Sequence, residues 1–336
     1  MKAPVFKGVG KPLVIETLPD PTPAAGEIVL EVARCGICGT DLHMTDGHAQ
    51  TYPENVVIGH EFAGEVVAVG PGVTNFKIGD RVAAMPVVGC GHCSNCLAGE
   101  TMWCDSGLNG ILGGFGQYAI ARAHASIKLP NTLSSNDGAL VEPLAVSLHG
   151  VALAELARGA RVLVQGAGPI GLGCVFWARH LGAGRIAVTS RSRRSESFAE
   201  LMGATAFVTA GENMSAEIDA VLGGPPDVVF ECVGVPGQLA QAINLVRARG
   251  TVVLLGNCML PDTIVPAQAM FKQVRIQGSM VYSLAEFEEV ADVLDAGRVD
   301  PSVMVTDTVG YAALPEAFEA LRKPTTQCKV LIDPRA

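Results

Sequence analysis

"RVLVQGAGPIG", Arg161 to Gly171, decides the architecture. An apolar run leads straight into Gly166, Gly168 and Gly171. That G-x-G-x-x-G spacing lets a chain turn tightly, approach a pyrophosphate closely and start a helix against a sheet. Alone the spacing is a weak signal, because a plain strand-to-helix turn can carry three glycines. Here it belongs to a series. "RVLVQ", "RIAVTS", "DVVFECVG" and "GTVVLLGN" read as buried strands, and helix-length segments such as "PIGLGCVFWARHLGA" and "ESFAELMGA" lie between them. Parallel strands need crossovers and cover on both faces, so the alternation predicts a doubly wound parallel sheet. Its first helix, opening at Pro169 and Ile170, would turn its N-terminus toward a dinucleotide's phosphates.

The second strand of the series bears on which dinucleotide. An NAD site usually ends that strand in a carboxylate that binds the ribose hydroxyls. "AVTSRSRRSE" instead has Ser190, followed by Arg191, Arg193 and Arg194. A carboxylate would repel a 2′-phosphate, whereas guanidinium groups bind one in pairs of hydrogen bonds, so NADP(H) is predicted over NAD(H). The alternative is a solvated run of surface arginines.

Upstream of residue 130 the pattern differs. "EIVLEVA", "NVVIGHEFAGEVVAVG", "DRVAAMPVV" and "QYAIARA" are short apolar or alternating runs between Gly, Pro and Asp turns, the mark of a β-rich domain. "SLAEFEEVADVLDAG" reads as an amphipathic helix with Leu284, Phe287, Val290, Ala291 and Leu294 inward, and "CKVLID" as a final strand. The expected domains are 1–144 with 284–336, and 145–283. A chain of 336 residues is long enough for two cores. With 49% hydrophobic and 17% charged residues, part of its apolar surface is expected under another subunit, as a homodimer or homotetramer. A net charge of −9 without a basic run argues against nucleic acid, and no segment reads as a secretory leader or membrane span, so a cytoplasmic location is expected.

That compartment decides how to read "GCGHCSNCLAGETMWC", residues 89 to 104. Disulfides are disfavoured in a reducing cytosol, so Cys90, Cys93, Cys96 and Cys104 are predicted to hold one Zn²⁺, closed by four thiolates and structural. A second site can be assembled from "CGICGTDLH", "VIGHEF" and "ALVEPLAVSLHG". Cys38, His60 and one carboxylate, Glu61 or Glu142, would leave a zinc position open, although donors scattered over a hundred residues are a weak signal.

These motifs, in this order, make the chain resemble the medium-chain zinc-dependent alcohol dehydrogenases, in particular the sorbitol, threonine and secondary-alcohol branch. "GICGTDLH", "GHEFAGEVVAVGPGV", "KIGDRV", "CGHCSNCLAGETMWC", "EPLAVSLHG" and "GAGPIG" each match a family motif, and the match spans nearly the whole chain. The resemblance implies a β-rich GroES-like catalytic domain plus a Rossmann domain, and two zinc ions per chain. It implies that Cys38, His60 and either Glu142 or Glu61 hold the catalytic zinc, with Glu142 placed ahead. Thr40 would bind the substrate oxygen, His43 would pass the proton to solvent, and Cys35 would pack.

Gly166, Gly168, Pro169, Ile170, Gly171, Ser190, Arg191, Arg194 and Val233 are the candidate cofactor contacts. The chain departs from the liver-type pattern, which has Cys as third zinc ligand and Asp at the ribose. The implied reaction is hydride transfer between an alcohol or ketone and NADP(H), at the seam between the domains. Tyr52, Trp103, Leu108, Ile111 and Phe115 are candidate pocket walls, and the lack of a basic residue among them favours a neutral substrate. His48, His92, His124 and His180 match no catalytic position. Rival readings are an NAD-dependent polyol or threonine dehydrogenase, a zinc-free quinone reductase and a non-catalytic NADPH-binding member.

Overall fold

The computed structural model describes residues 1–47, 50–107, 109–297, 300–323 and 326–336. Contacts divide the chain into two units: Met1–Glu142, Tyr282–Arg298 and Val305–Ala336 form one, and Pro143–Val281 with Val299–Met304 the other. The first break falls within the helix Ser135–Leu153, at Pro143, which has no N–H to give to a helix. The second break falls just before Ser283. There Ser283 Oγ accepts the Glu286 N–H at 3.2 Å and Glu286 Oε2 accepts the Ser283 N–H at 2.7 Å, a capping box that opens helix Leu284–Asp295. Phe287, Val290, Ala291 and Leu294 of that helix are buried, while Leu284, in its first turn, is half-buried.

The second unit is a six-stranded parallel sheet. Its spatial order is Ala206–Thr209, Arg185–Ser190, Arg161–Gln165, Val228–Glu231, Thr251–Leu254, Arg275–Gly278. The chain direction of the winding reverses between Arg161–Gln165 and Val228–Glu231, and ligands of such sheets bind beyond the strand ends at that point. The four inner strands are buried and largely apolar on both faces, as a sheet covered by helices on both sides requires. On one face Leu163, Ala187, Val229 and Val252 pack against Ile218, Ala242 and Leu245. Helix Pro169–His180 is buried from Gly171 to Ala178, and Trp177 Nε1 donates to Leu144 O at 2.8 Å, so its one polar atom is satisfied.

In the first unit, strand Glu27–Gly36 is the hub. It pairs antiparallel with Glu61–Val69, Tyr118–Arg122 and Lys329–Ile332. The C-terminal segment is thus part of this β core: Ile332 lies opposite Cys35 and Leu331 opposite Gly36. Ile28, Leu30, Phe62, Val66, Phe115, Phe318 and Ile332 form one continuous buried cluster. Among the described residues no helix is long and apolar enough to cross a membrane.

One polar knot holds the start of the parallel sheet. Asp227 Oδ2 accepts the Arg161 N–H at 2.8 Å and Arg161 Nε at 3.2 Å, and Asp227 Oδ1 accepts Arg247 Nε at 2.5 Å. Burial alone would raise this carboxyl's pKa, but the arginines outweigh it and hold it at about 2, against an ordinary 3.8. A depressed carboxylate stabilises the fold above its unfolded pKa and loses that contribution as pH falls through the folded one. Asp227→Asn should therefore lower the urea midpoint at pH 7. The difference from wild type should shrink between about pH 4 and about pH 2; a difference independent of pH across that window would contradict the assignment.

Candidate active site

Cys38 caps helix Gly39–Asp46. Its sulfur accepts the Thr40 N–H at 3.4 Å, and Asp41 Oδ2 accepts the Cys38 N–H at 3.0 Å. The exchange fixes the thiol at the mouth of the helix. Thr40 and His43, one turn apart on that helix, are both exposed.

His60 and Glu61 arrive at the start of strand Glu61–Val69, and donor atoms of Cys38, His60 and Glu61 lie within 4.8 Å of one another. His60 Nδ1 sits 3.3 Å from Asp41 Oδ1, which also accepts the Tyr52 hydroxyl at 3.2 Å. Asp41 is wholly buried. Its carboxylate orients the imidazole so that the other ring nitrogen is free for a metal, as outer-shell carboxylates do for metal-bound histidines. Burial disfavours the charged imidazolium, yet Asp41 and Cys38 outweigh it and raise the basicity of His60.

Glu61 is gripped by Lys329, whose Nζ donates at 2.8 and 2.6 Å to its two oxygens and at 3.3 Å to Ile37 O. Side-chain exposures of 2% for Lys329 and 1% for Glu61 make this a sealed ion pair. Gly36 is required beside it, since a Cβ there would overlap Glu61 Oε2. Glu142 is buried too but stands outside the 4.8 Å group. Its Oε1 accepts the Tyr282 hydroxyl at 3.0 Å, and Tyr282 stacks on Phe287. Burial first, then the Glu61 carboxylate, push Glu142 up to about 7 against the pull of His60 and Tyr282.

A thiol sulfur, an imidazole nitrogen and a carboxylate oxygen form the donor set of a zinc that keeps one position open. The surroundings favour a cation as well: Asp41, Glu61 and Glu142 are buried acids around His60, and Lys329 is the buried ammonium paired with Glu61. The residues therefore fit the metal. Sequence reasoning overlooked Asp41, Tyr282 and Lys329. Only Asp41 carried a local signal, a carboxylate three residues after a helix-capping position.

The four-cysteine lobe fits a closed site. Sγ atoms of Cys90, Cys93, Cys96 and Cys104 lie within 4.8 Å of one another. Backbone N–H groups point at the sulfurs, Cys90 N to Cys104 at 3.2 Å, Cys93 N to Cys90 at 3.4 Å and Cys96 N to Cys93 at 3.5 Å. The His92 and Cys93 N–H groups push Cys90 down to about 6. Four soft donors in this arrangement suit tetrahedral zinc. Asn95 ties the lobe together by donating to Trp103 O at 2.6 Å and to Asp105 Oδ1 at 3.0 Å.

In the second unit Gly166 adopts φ +97°, open to glycine, and a Cβ on Gly171 would overlap Gly166 O. Nothing stands within 4 Å of where a Gly168 Cβ would be, so the loop's outer side is free for a ligand. Helix Pro169–His180 begins there without a side-chain cap, with Pro169 at its first position. Val233 and Gly234 donate their N–H groups to Glu231 Oε1 at 2.6 and 2.9 Å, which shapes the neighbouring strand end. Ser190 closes its strand half-buried, and Arg191 and Arg194 are exposed. Arg193 is already engaged, paired with Glu196 and placed over the Phe207 ring.

Of the other candidates, Cys35 and Phe115 are fully buried in the β core, and Tyr52 is 8% exposed and turned to Asp41. Trp103 is exposed and Ile111 half-buried. His92, His124 and His180 are exposed, whereas His48 and Leu108 lie outside the described residues.

Comparison with known proteins identifies the family. The alcohol dehydrogenase GroES-like domain matches residues 24–131 and the zinc-binding dehydrogenase domain residues 169–296. An (R,R)-butanediol dehydrogenase of Bacillus subtilis is 35% identical, over 96% of this chain and 97% of its own. A putative zinc-binding dehydrogenase of Sinorhizobium meliloti, solved bound to NADP, superposes with a TM-score of 0.88 at 32% identity over 99% of both chains. An Escherichia coli alcohol dehydrogenase, solved with NADH, gives 0.91 at 29% identity, again over 99% of both. With both domains in order and a full-length relative at this identity, the chain belongs to the medium-chain zinc-dependent alcohol dehydrogenase family.

Proposed function

We propose that this member transfers hydride between a neutral secondary alcohol or polyol and NADP(H), with one catalytic and one structural zinc per chain. The observation that carries the reading is the convergence of Cys38, His60 and Glu61 beside an exposed Thr40. Cys38, His60 and a carboxylate, Glu61 or Glu142, would hold the catalytic ion, and Cys90, Cys93, Cys96 and Cys104 the structural one. A bound zinc would supply Lewis acidity at the substrate oxygen, and a bound nicotinamide would supply the hydride chemistry. Thr40 Oγ1 binds that oxygen and relays its proton, accepting it while releasing the hydroxyl's own proton toward His43. His43, on the same exposed helix face, passes the proton to water. Asp41 keeps the His60 ring oriented throughout, and Lys329 restrains Glu61.

NADP(H) is supported by the missing carboxylate at Ser190 and by the exposed guanidinium groups of Arg191 and Arg194. A neutral substrate accords with the diol for which the Bacillus subtilis relative is named. A cytoplasmic setting suits thiols kept for metal. A homo-oligomer is supported by Arg275–Gly278, the last strand in its sheet, and by neighbouring Met270, Phe271 and Met280. Phe271 is 81% exposed, more than a large apolar side chain on a free surface favours.

Metal analysis should find two zinc ions per chain. Cys38→Ser should abolish turnover and lose one of them while dinucleotide binding survives; Cys93→Ser should lose the other and lower the thermal midpoint. Retained turnover in Cys38→Ser would remove the ligand assignment. Arg191→Ala should lower kcat/KM for NADP⁺ by about 10-fold or more and leave NAD⁺ nearly unchanged. Wild-type protein that uses NAD⁺ as well as NADP⁺ would instead favour the NAD-dependent polyol or threonine dehydrogenase reading. Phe271→Asp should convert the oligomer to monomer in light scattering, and an unchanged mass would rule out this face.

A further inference from the structure

The parallel sheet has a second concave end, a strand length away from the glycine loop. Around the first residues of its strands lies a depression of about 330 Å³, with a polar lining of Glu155, Arg158, Asp227, Arg247, Arg249 and Arg275. Arg161 adjoins it through Asp227. Five guanidinium groups thus face two carboxylates, in a chain whose net charge is −9. Such crowding of like charge raises the energy of an empty surface, and an anion would relieve it.

Four of the five guanidinium groups are also held in place. Asp227 anchors Arg161 and Arg247. Arg275 Nη1 donates to Glu155 Oε2 at 2.8 Å, Nη2 to Ala154 O at 3.0 Å and Nε to Thr251 Oγ1 at 3.3 Å. Arg249 donates from Nε to Gln273 Oε1 at 3.0 Å and from its N–H to Lys272 O at 2.7 Å. Arg249 and Gln273 both occupy the left-handed region, at φ 57° and 52°. A non-glycine residue there carries strain that glycine would avoid, and strain of this kind gathers at ligand sites. Each guanidinium has five N–H donors, so these bonds leave others to spare.

We propose that this basin binds a multiply charged phosphate group through paired arginine hydrogen bonds. A volume of about 330 Å³ is that of a small-molecule site, and planar guanidinium forks match phosphate oxygens two at a time. A sugar phosphate and an inorganic polyphosphate present the same chemistry. The site is separate from the glycine loop and stands whether or not NADP(H) is the cofactor.

The test is calorimetry on the full chain, loaded with zinc and saturated with NADP⁺ to occupy the glycine loop. Inorganic pyrophosphate is titrated in one arm and ribose 5-phosphate in the other; the tighter of the two identifies the source. One pyrophosphate per chain is expected, with affinity falling steeply as salt rises. The Arg158→Ala/Arg249→Gly double variant should bind it at least 10-fold more weakly. Because glycine relaxes the left-handed turn, that variant should keep its thermal midpoint without ligand, which separates lost binding from lost folding. Equal affinity in the double variant would overturn the proposal, since the surviving heat would then come from outside this basin. So would the absence of saturable binding at low salt.

Discussion

The sealed ion pair between Glu61 and Lys329 is the constraint on which the first unit depends. Removing one partner of such a pair leaves an uncompensated charge away from water, at a cost of about 3–5 kcal/mol. The pair joins distant parts of the chain. Glu61 opens the strand that pairs with the hub Glu27–Gly36, and Lys329 opens the C-terminal strand on the hub's other side. The contact therefore fixes the carboxylate next to Cys38 and His60 and docks the C-terminal segment in one interaction. Gly36 lies between them on the hub, and any side chain there would push the carboxylate out.

Asp41 is a second organising centre, and it serves helix and site together. One oxygen closes the helix start at Cys38; the other receives Tyr52 and faces His60. The requirement that a helix N-terminus satisfy its free N–H groups thus sets the distance between the thiol and the imidazole. Burying this carboxylate is tolerable because three groups surround it. It is also useful, since a buried anion makes the imidazole a stronger donor to metal.

What the sequence disclosed follows from the range of each interaction. The glycine loop, the parallel strands and the cysteine lobe are local patterns, set by strand period, turn chemistry and ligand spacing, and they read directly. The Glu61–Lys329 pair spans 268 positions and the Glu142–Tyr282 bond 140, and neither leaves a local trace. Asp41 did leave one, disguised because the capping residue is Cys rather than Ser or Thr. Arg193 shows the opposite failure: three arginines after Ser190 look equivalent in sequence, yet a glutamate three residues further on engages one of them. Leu284 illustrates periodicity at its limit, since a position in a helix's first turn has no preceding turn to pack beneath.

The two units also divide cationic chemistry between them. From residue 143 to 281 there are ten arginines and one lysine, whereas the rest of the chain has six and seven. Lysine satisfies a charge requirement as well as arginine does, so charge balance alone does not account for the bias. Two things distinguish the guanidinium: it presents paired, planar donors, and it remains weakly hydrated when bound. Both properties matter for phosphate oxygens and for carboxylates such as Asp227, which receives donors from two arginines at once. The first unit instead uses Lys329 where a single compact ammonium must fit between two oxygens and a carbonyl in a space closed to water. Which cation stands where thus follows the geometry of its acceptor, and the arginine-rich unit is the one for which phosphate ligands are proposed.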